Sequence, residues 1–225
     1  MVARQTDRSK RLMARILITG SNRGIGAALA AEAKGRGHSI LRATRVGQGG
    51  DVIFDISNPM QVKQAMSAIN QPIDIVINNA GIIGPDSPTT DMDWTAMAHT
   101  FAVNVAGALA VSTACLDHLR RSGSPRILTI SSQMSYMGYA KSDRISYRAS
   151  KAAVNKVMQG LATDLYPDGI AVVVVDPGWV QTDMGGAKAE LTPEEVATGI
   201  IDLAERVTLE QTGKFFRWTG EERAF

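Results

Sequence analysis

One cysteine, three histidines and an aromatic content of 5% are the scarcest features of this 225-residue chain, and each scarcity excludes something. Cys115 has no second thiol to pair with, so an intrachain disulfide is ruled out. His38, His99 and His118 are scattered, and no Cys/His group has zinc-ligand spacing, so no metal site is expected. No uninterrupted apolar run reaches the ~18 residues of a membrane-crossing helix. The first twelve residues lack the apolar centre of a secretory signal. Surplus charge is scarce too. The net charge is +2, but Arg4, Arg8, Lys10 and Arg11 against Asp7 put +3 into residues 1–12, leaving the rest at −1. The basicity therefore belongs to a short extension, which removes the case for nucleic-acid binding by the body of the chain. What remains is ordinary globular material, with 44% hydrophobic and 20% charged residues, which argues against disorder. The expectation is a flexible basic extension over 1–12 and one catalytic-size domain over 13–225, in a cytoplasmic protein.

Apolar runs and helix signals alternate along that domain. Ile16-Leu17-Ile18 runs into Thr-Gly as a first strand; Ala27–Lys34 is a helix stopped by Gly35 and Gly37. Further strands are expected over 38–43, 51–54, 73–77, 126–130, 171–175 and 213–218. Helices are expected from Asn58-Pro59, over 94–120, over 147–166 and from Thr192-Pro193, where Glu195 sits at capping-box spacing. The strands are continuous apolar runs, as in strands buried on both faces. The fold class predicted is α/β: a single doubly wound parallel sheet, a Rossmann fold, with helices on both faces.

Several strand ends carry candidate chemistry. Thr19-Gly20-Ser21-Asn22-Arg23-Gly24-Ile25-Gly26 joins a strand to a helix N-terminus, an arrangement that suits an anion, although its G-x-x-x-G-x-G spacing is only a loose dinucleotide fingerprint. Alone it reads equally well as a glycine turn. Asn78-Asn79-Ala80-Gly81 follows the fourth strand, where ligands of open sheets bind, or is simply a turn. Asn104, within an apolar helix, reads as a site residue or a satisfied core amide. Ser131-Ser132 ends the fifth strand. Tyr147 and Lys151, at i and i+4, share a helix face, and a lysine ammonium beside a phenol lowers the phenol's pKa.

In their order and placement these motifs, with Asp176-Pro177-Gly178, resemble the short-chain dehydrogenase/reductase family over about residues 13–225. Tyr147-Arg148-Ala149-Ser150-Lys151 and Asp176-Pro177-Gly178-Trp179-Val180-Gln181-Thr182-Asp183-Met184 are similar to its branch of sniffer-type carbonyl reductases and C-factor proteins. The resemblance implies Tyr147 as proton donor, Lys151 as the group that lowers its pKa and holds the nicotinamide ribose, and Ser132 rather than Ser131 as the carbonyl-orienting hydroxyl. It implies Asn104 as the holder of a relay water and Asn79, with Ala80 and Gly81, at the cofactor ribose. Asp55 and Ile56 would meet the adenine, the Gly20–Gly26 loop the pyrophosphate, and Pro177, Gly178, Val180 and Thr182 the nicotinamide end. Ser132 and Tyr147 are 15 positions apart, two more than in many members, with Tyr136, Tyr139 and Asp143 between them.

Charge indicates which cofactor. No acid lies between Glu32 and Asp51; Thr44 stands where an NAD-type acid is expected, followed by Arg45, with Arg23 in the glycine loop. Two guanidinium groups suit a ribose 2′-phosphate, so NADP(H) is favoured over NAD(H). The expected partner is a small-molecule carbonyl or alcohol substrate, with no nucleic acid or membrane, in a homo-oligomer (dimer or tetramer). Trp94, Met134, Tyr136, Trp179 and Met184 are candidates for a small apolar pocket or for core. The alternative reading is a C-factor-like nucleotide-binding signalling protein in which turnover is secondary.

Overall fold

Ile16, Leu17 and Ile18 are all fully buried, yet they serve two different cores: Ile16 and Ile18 pack on one face of their strand and Leu17 on the other. That is what a continuous apolar run does in a sheet covered on both sides. The computed structural model describes residues 13–47 and 49–225, so the expected basic extension over 1–12 lies outside the described residues. β1 (Arg15–Thr19), β2 (Ser39–Thr44), β3 (Val52–Ile53), β4 (Ile75–Asn78), β5 (Arg126–Ile130), β6 (Ala171–Asp176), β7 (Phe215–Arg217) and β8 (Glu222–Arg223) form one sheet in the order β3-β2-β1-β4-β5-β6-β7-β8. α1 (Gly24–Gly35) and α7 (Pro193–Arg206) cover one face through Leu29, Val196 and Ile200. α2 (Pro59–Ser67), α3 (Trp94–Phe101), α4 (Ala108–Ala114), the one-turn α5 (Leu116–Leu119) and α6 (Ile145–Leu165) lie on the other side, where Val62, Val111 and Val154 meet Leu17, Val76 and Ile127.

The capping signals act as read. Asn58 accepts from the amides of Met60 and Gln61 at the start of α2, and Thr192 with Glu195 closes a reciprocal capping box at α7.

Two expectations need correction. The helix predicted over 94–120 is helical from Trp94 to Ala114 but passes through a π-helical stretch at Ala102–Gly107, and Cys115 separates off the short segment Leu116–Leu119. Gly107 lies so close to Ile56 that a Cβ there would stand 2.7 Å from Ile56 Cγ1, so tertiary packing, not propensity, sets the path. The sheet is also not wholly parallel, since β8 returns antiparallel to β7. Its two residues are polar and too few to carry a strand pattern. One stretch among the described residues, Trp94–Ala114, is by length and composition long and apolar enough to cross a membrane, which counting uninterrupted runs did not show. It lies on the sheet, with Val103, Ala108 and Val111 in the core.

β1 is flanked by β2 on one side and β4 on the other, so the chain crosses over between them and leaves a crevice at their C-terminal ends. The glycine loop and Asn79-Ala80-Gly81 emerge into that crevice.

Candidate active site

The two loops at the crevice are tied together by backbone and amide groups. Thr19 Oγ1 accepts from the N–H groups of Asn79 and Ala80, both at 3.0 Å. Asn79 Nδ2 donates to the carbonyls of Thr19 (2.9 Å) and Gly20 (3.2 Å). The packing leaves no room for side chains. A Cβ on Gly26 would stand 2.1 Å from Gly20 O, and one on Gly20, where φ is +65°, would stand 3.0 Å from Ala80 Cα. Arg23 occupies the N-cap of α1 without capping it through its side chain, so the first helix amides are left for another acceptor. Bare backbone, open amides and a helix N-terminus fit the pyrophosphate of a dinucleotide.

Gly24 and Gly26, with Asn79, Ala80 and Gly81, form one end of a cavity of about 270 Å³; Ser132, Tyr147 and Lys151 line the other, with Pro177, Gly178, Val180 and Thr182 along one side. Met134, Trp179 and Met184 line it too, as do Ile83 and Gln133. Trp94 and Tyr136 do not: Trp94 is 74% exposed at the start of α3, and Tyr136 packs its ring against Tyr139 in the loop before α6. The longer Ser132–Tyr147 connection thus carries its two tyrosines outside the cavity lining.

Tyr147, Lys151 and Asn155 repeat every four residues along α6 and are all buried. The Ser132 hydroxyl lies by the Tyr147 phenol, where it acts to lower the phenol's pKa, and accepts from Met134 N–H at 3.0 Å. The Ser131 hydroxyl instead donates to Asn155 Oδ1; Asn155 in turn donates to Ser135 Oγ (2.9 Å), which donates to the Ser132 carbonyl (2.7 Å). The second serine of the pair therefore faces the phenol while the first builds its support. Lys151 Nζ lies 5.6 Å from the centre of the Tyr147 ring and donates to Ile130 O at 2.8 Å.

Burial dominates the electrostatics of this pair in the chain by itself. Burial pushes Tyr147 up to about 12, Ser132 pulls it back and the Asp176 charge adds to the rise. Burial brings Lys151 down to about 8. In the chain by itself, Tyr147 is thus a protonated phenol at neutral pH, the state a proton donor requires.

Asn104 lies in the π turn, where Oδ1 accepts from Ile82 N–H and Nδ2 donates to Ile82 O and Ser150 Oγ. Its amide clamps the segment after Gly81 onto α6. Asn79 lines the cavity beside Ala80 and Gly81, and its Nδ2 ties that loop to the end of β1. Ile56 is a core residue against Gly107. Ser21 is buried and Asn22 exposed, both outside the cavity lining. Thr44 is buried, and its hydroxyl donates to Val46 O at 2.8 Å. Asp55 spends one carboxylate oxygen on the amide and hydroxyl of Ser57, which lowers its pKa. Arg23 reaches across the cavity mouth to Asp183 at 2.8 Å. Arg45 stands exposed at the end of β2 with no hydrogen bond or ion pair among the described residues, while neighbouring Asp51 is held by Arg42.

Sequence reasoning gave no role to Asp176, Asn155 or Arg223. Asp176 Oδ1 accepts from Gln133 N–H (2.9 Å) and Gly178 N–H (3.0 Å), and Oδ2 from Arg223. The four-residue spacing of Tyr147, Lys151 and Asn155 signalled the second; nothing local signalled Arg223.

Residues 14–192 match the family model described as short chain dehydrogenase. C-signal of Myxococcus xanthus is 38% identical over 160 residues, 70% of this chain and 96% of that protein. Carbonyl reductase Sniffer of D. melanogaster aligns with a TM-score of 0.88 and 26% identity, over 95% of this chain and 100% of that one. The NADPH-bound carbonyl reductase from chicken fatty liver shares the fold, with a TM-score of 0.87 at 24% identity over 96% and 100% of the two chains.

Proposed function

This chain belongs to the short-chain dehydrogenase/reductase family, a family of nicotinamide-dependent oxidoreductases, and from that premise we propose that it is an NADPH-dependent reductase of small carbonyl compounds with Tyr147 as the proton donor. The observation that carries the reading is a single cavity with a glycine cradle at one end and Ser132, Tyr147 and Lys151 at the other.

Bound nicotinamide would supply the hydride. The chain's own residues do the rest. Gly20, Gly24 and Gly26 let the backbone approach the pyrophosphate, and the α1 amides donate to it. Ser132 Oγ orients and polarises the carbonyl oxygen beside the phenol. Tyr147 Oη delivers its proton to that oxygen. Lys151, held by Ile130 O, keeps a positive charge next to the phenolate left behind. Met134, Trp179 and Met184 give the substrate side an apolar wall that limits access of water.

The preference for NADPH rests on Arg45, which is exposed and makes no hydrogen bond or ion pair among the described residues, and on the lack of an acid between Glu32 and Asp51. The NADPH-bound state of the chicken carbonyl reductase, which shares this fold, supports it. The signalling alternative has no comparable support, because Ser132, Tyr147 and Lys151 are present and assembled. The test is a panel of aliphatic and aromatic aldehydes and ketones with NADPH and NADH. Turnover of at least one carbonyl with NADPH preferred is expected; no turnover across the panel would overturn the reading.

A further inference from the structure

The sheet edge ends in an ion pair that is expensive where it stands. Asp176, at the C-terminal end of β6, is buried, and Arg223 reaches it from β8. The guanidinium lies over the Phe215 ring, 5.0 Å from its centre, and its Nε is buried with no partner among the described residues. A buried pair of this kind seldom stabilises a fold more than apolar residues would, and an unpaired buried donor subtracts further. Stability alone does not account for it.

Its connections suggest what does. Through one oxygen, the Asp176 carboxylate holds Gln133 N–H, next to Ser132, and Gly178 N–H, at the head of the segment that lines the cavity through Val180 and Thr182. One side chain therefore clasps the two loops on either side of the proton donor. The other oxygen is held by Arg223, which lies beyond residue 192, where the family match ends. We propose that Arg223 and Asp176 are positioning residues for the carbonyl-reducing site: β8 supplies the cation that fixes the carboxylate clasp and screens its charge from Tyr147.

This rests on the function proposed above, because a charge near Tyr147 matters only if its proton is used. The groups facing the phenol are Lys151 from its own helix, the Ser132 hydroxyl from the β5 end and Asp176 from β6; the cation facing Asp176 is Arg223 from β8. The carboxylate opposes ionisation of the phenol, and burial acts in the same direction.

Two measurements test the proposal. The first needs neither cofactor nor turnover: amide hydrogen exchange at Gln133 and Gly178 in Arg223→Met and Arg223→Lys. Exchange about tenfold faster in the methionine variant, with protection restored in the lysine variant, is expected; unchanged protection in folded Arg223→Met would overturn the clasp. The second is the pH profile of carbonyl reduction, whose high-pH limb follows loss of the Tyr147 proton. Arg223→Met should move that limb up, and Asp176→Asn should move it down, each by about one pH unit. A merely structural pair would lower activity in both variants without shifting the limb in opposite directions, and that result would overturn the screening role. If Arg223→Met does not fold, Arg223→Gln replaces it in both measurements, keeping an N–H donor and losing the charge. If the wild type reduces no carbonyl, the function proposed above fails while the exchange experiment still decides the clasp.

Discussion

The two ends of the cavity are built from different materials. The end at α1 is made of backbone: three glycines, helix amides, and Thr19 and Asn79 turned inward to lock two loops. The end at α6 is made of buried side chains, with Ser132, Tyr147, Lys151, Asn155 and Asp176 in one polar cluster. A backbone cradle is sensitive to added volume and nearly indifferent to charge. A buried polar cluster is sensitive to the loss of single atoms, because each group left unpaired there costs free energy. Damage to the first end should therefore appear in cofactor binding, and damage to the second in the chemical step.

Tyr147→Phe should separate the two ends most sharply. It removes only the transferable proton, so kcat should fall ~100- to 10,000-fold while the NADPH Kd, measured by fluorescence titration, stays within about threefold. A variant that reduces its carbonyl at near wild-type rate would remove Tyr147 from the mechanism. Gly26→Ala should do the reverse. Its Cβ would stand 2.1 Å from Gly20 O, so the loop must shift, and overpacking of about 1–3 kcal/mol lowers NADPH affinity roughly 5- to 100-fold. Unchanged affinity would show that the cradle is looser than its geometry.

Arg45→Ala sharpens the comparison within the cofactor end, because it asks whether that end also reads charge. A lost charge-assisted contact of about 1.5–3 kcal/mol predicts a 10- to 100-fold fall in kcat/KM for NADPH and little change for NADH. Equal losses with both cofactors would refute the 2′-phosphate role. Thr44→Asp is the poorer test, because the buried Thr44 hydroxyl already donates to Val46 O, and a carboxylate could not.

The smallest effect is on stability. The folded value of about 8 for Lys151 lies below the usual 10.5, so between these values the unfolded chain binds the proton more strongly. Wild-type stability from this residue is lowest below pH 8 and recovers as the pH rises toward 10.5. Lys151→Met should raise Tm at pH 7 by about 2–4 °C, with the gain shrinking across that window, even as turnover is lost. A Tm decrease at pH 7 would mean that the bond to Ile130 O outweighs the cost of the buried charge.

Much of this protein was decided locally and could be read from the chain alone. Alternate residues of the apolar runs face two cores, so a parallel sheet covered on both sides follows from Ile16, Leu17 and Ile18 and their counterparts. Asn58 and Thr192 cap their helices through neighbours within three residues. Tyr147 and Lys151 share a face because the helix repeat places them there. Tertiary structure decided the rest. Only the packed structure has the π-helical stretch at Ala102–Gly107, where Gly107 meets Ile56. Only the sheet brings Arg223 to Asp176, 47 positions away in the chain. Only the folded chain buries Tyr147 and Lys151 and brings Ser132 and Asp176 to the phenol, which together act on its proton affinity. Helical and strand periodicities act over a few residues and leave a pattern in the chain. Solvent exclusion and charge pairing depend on which distant groups arrive together, and no local pattern records that.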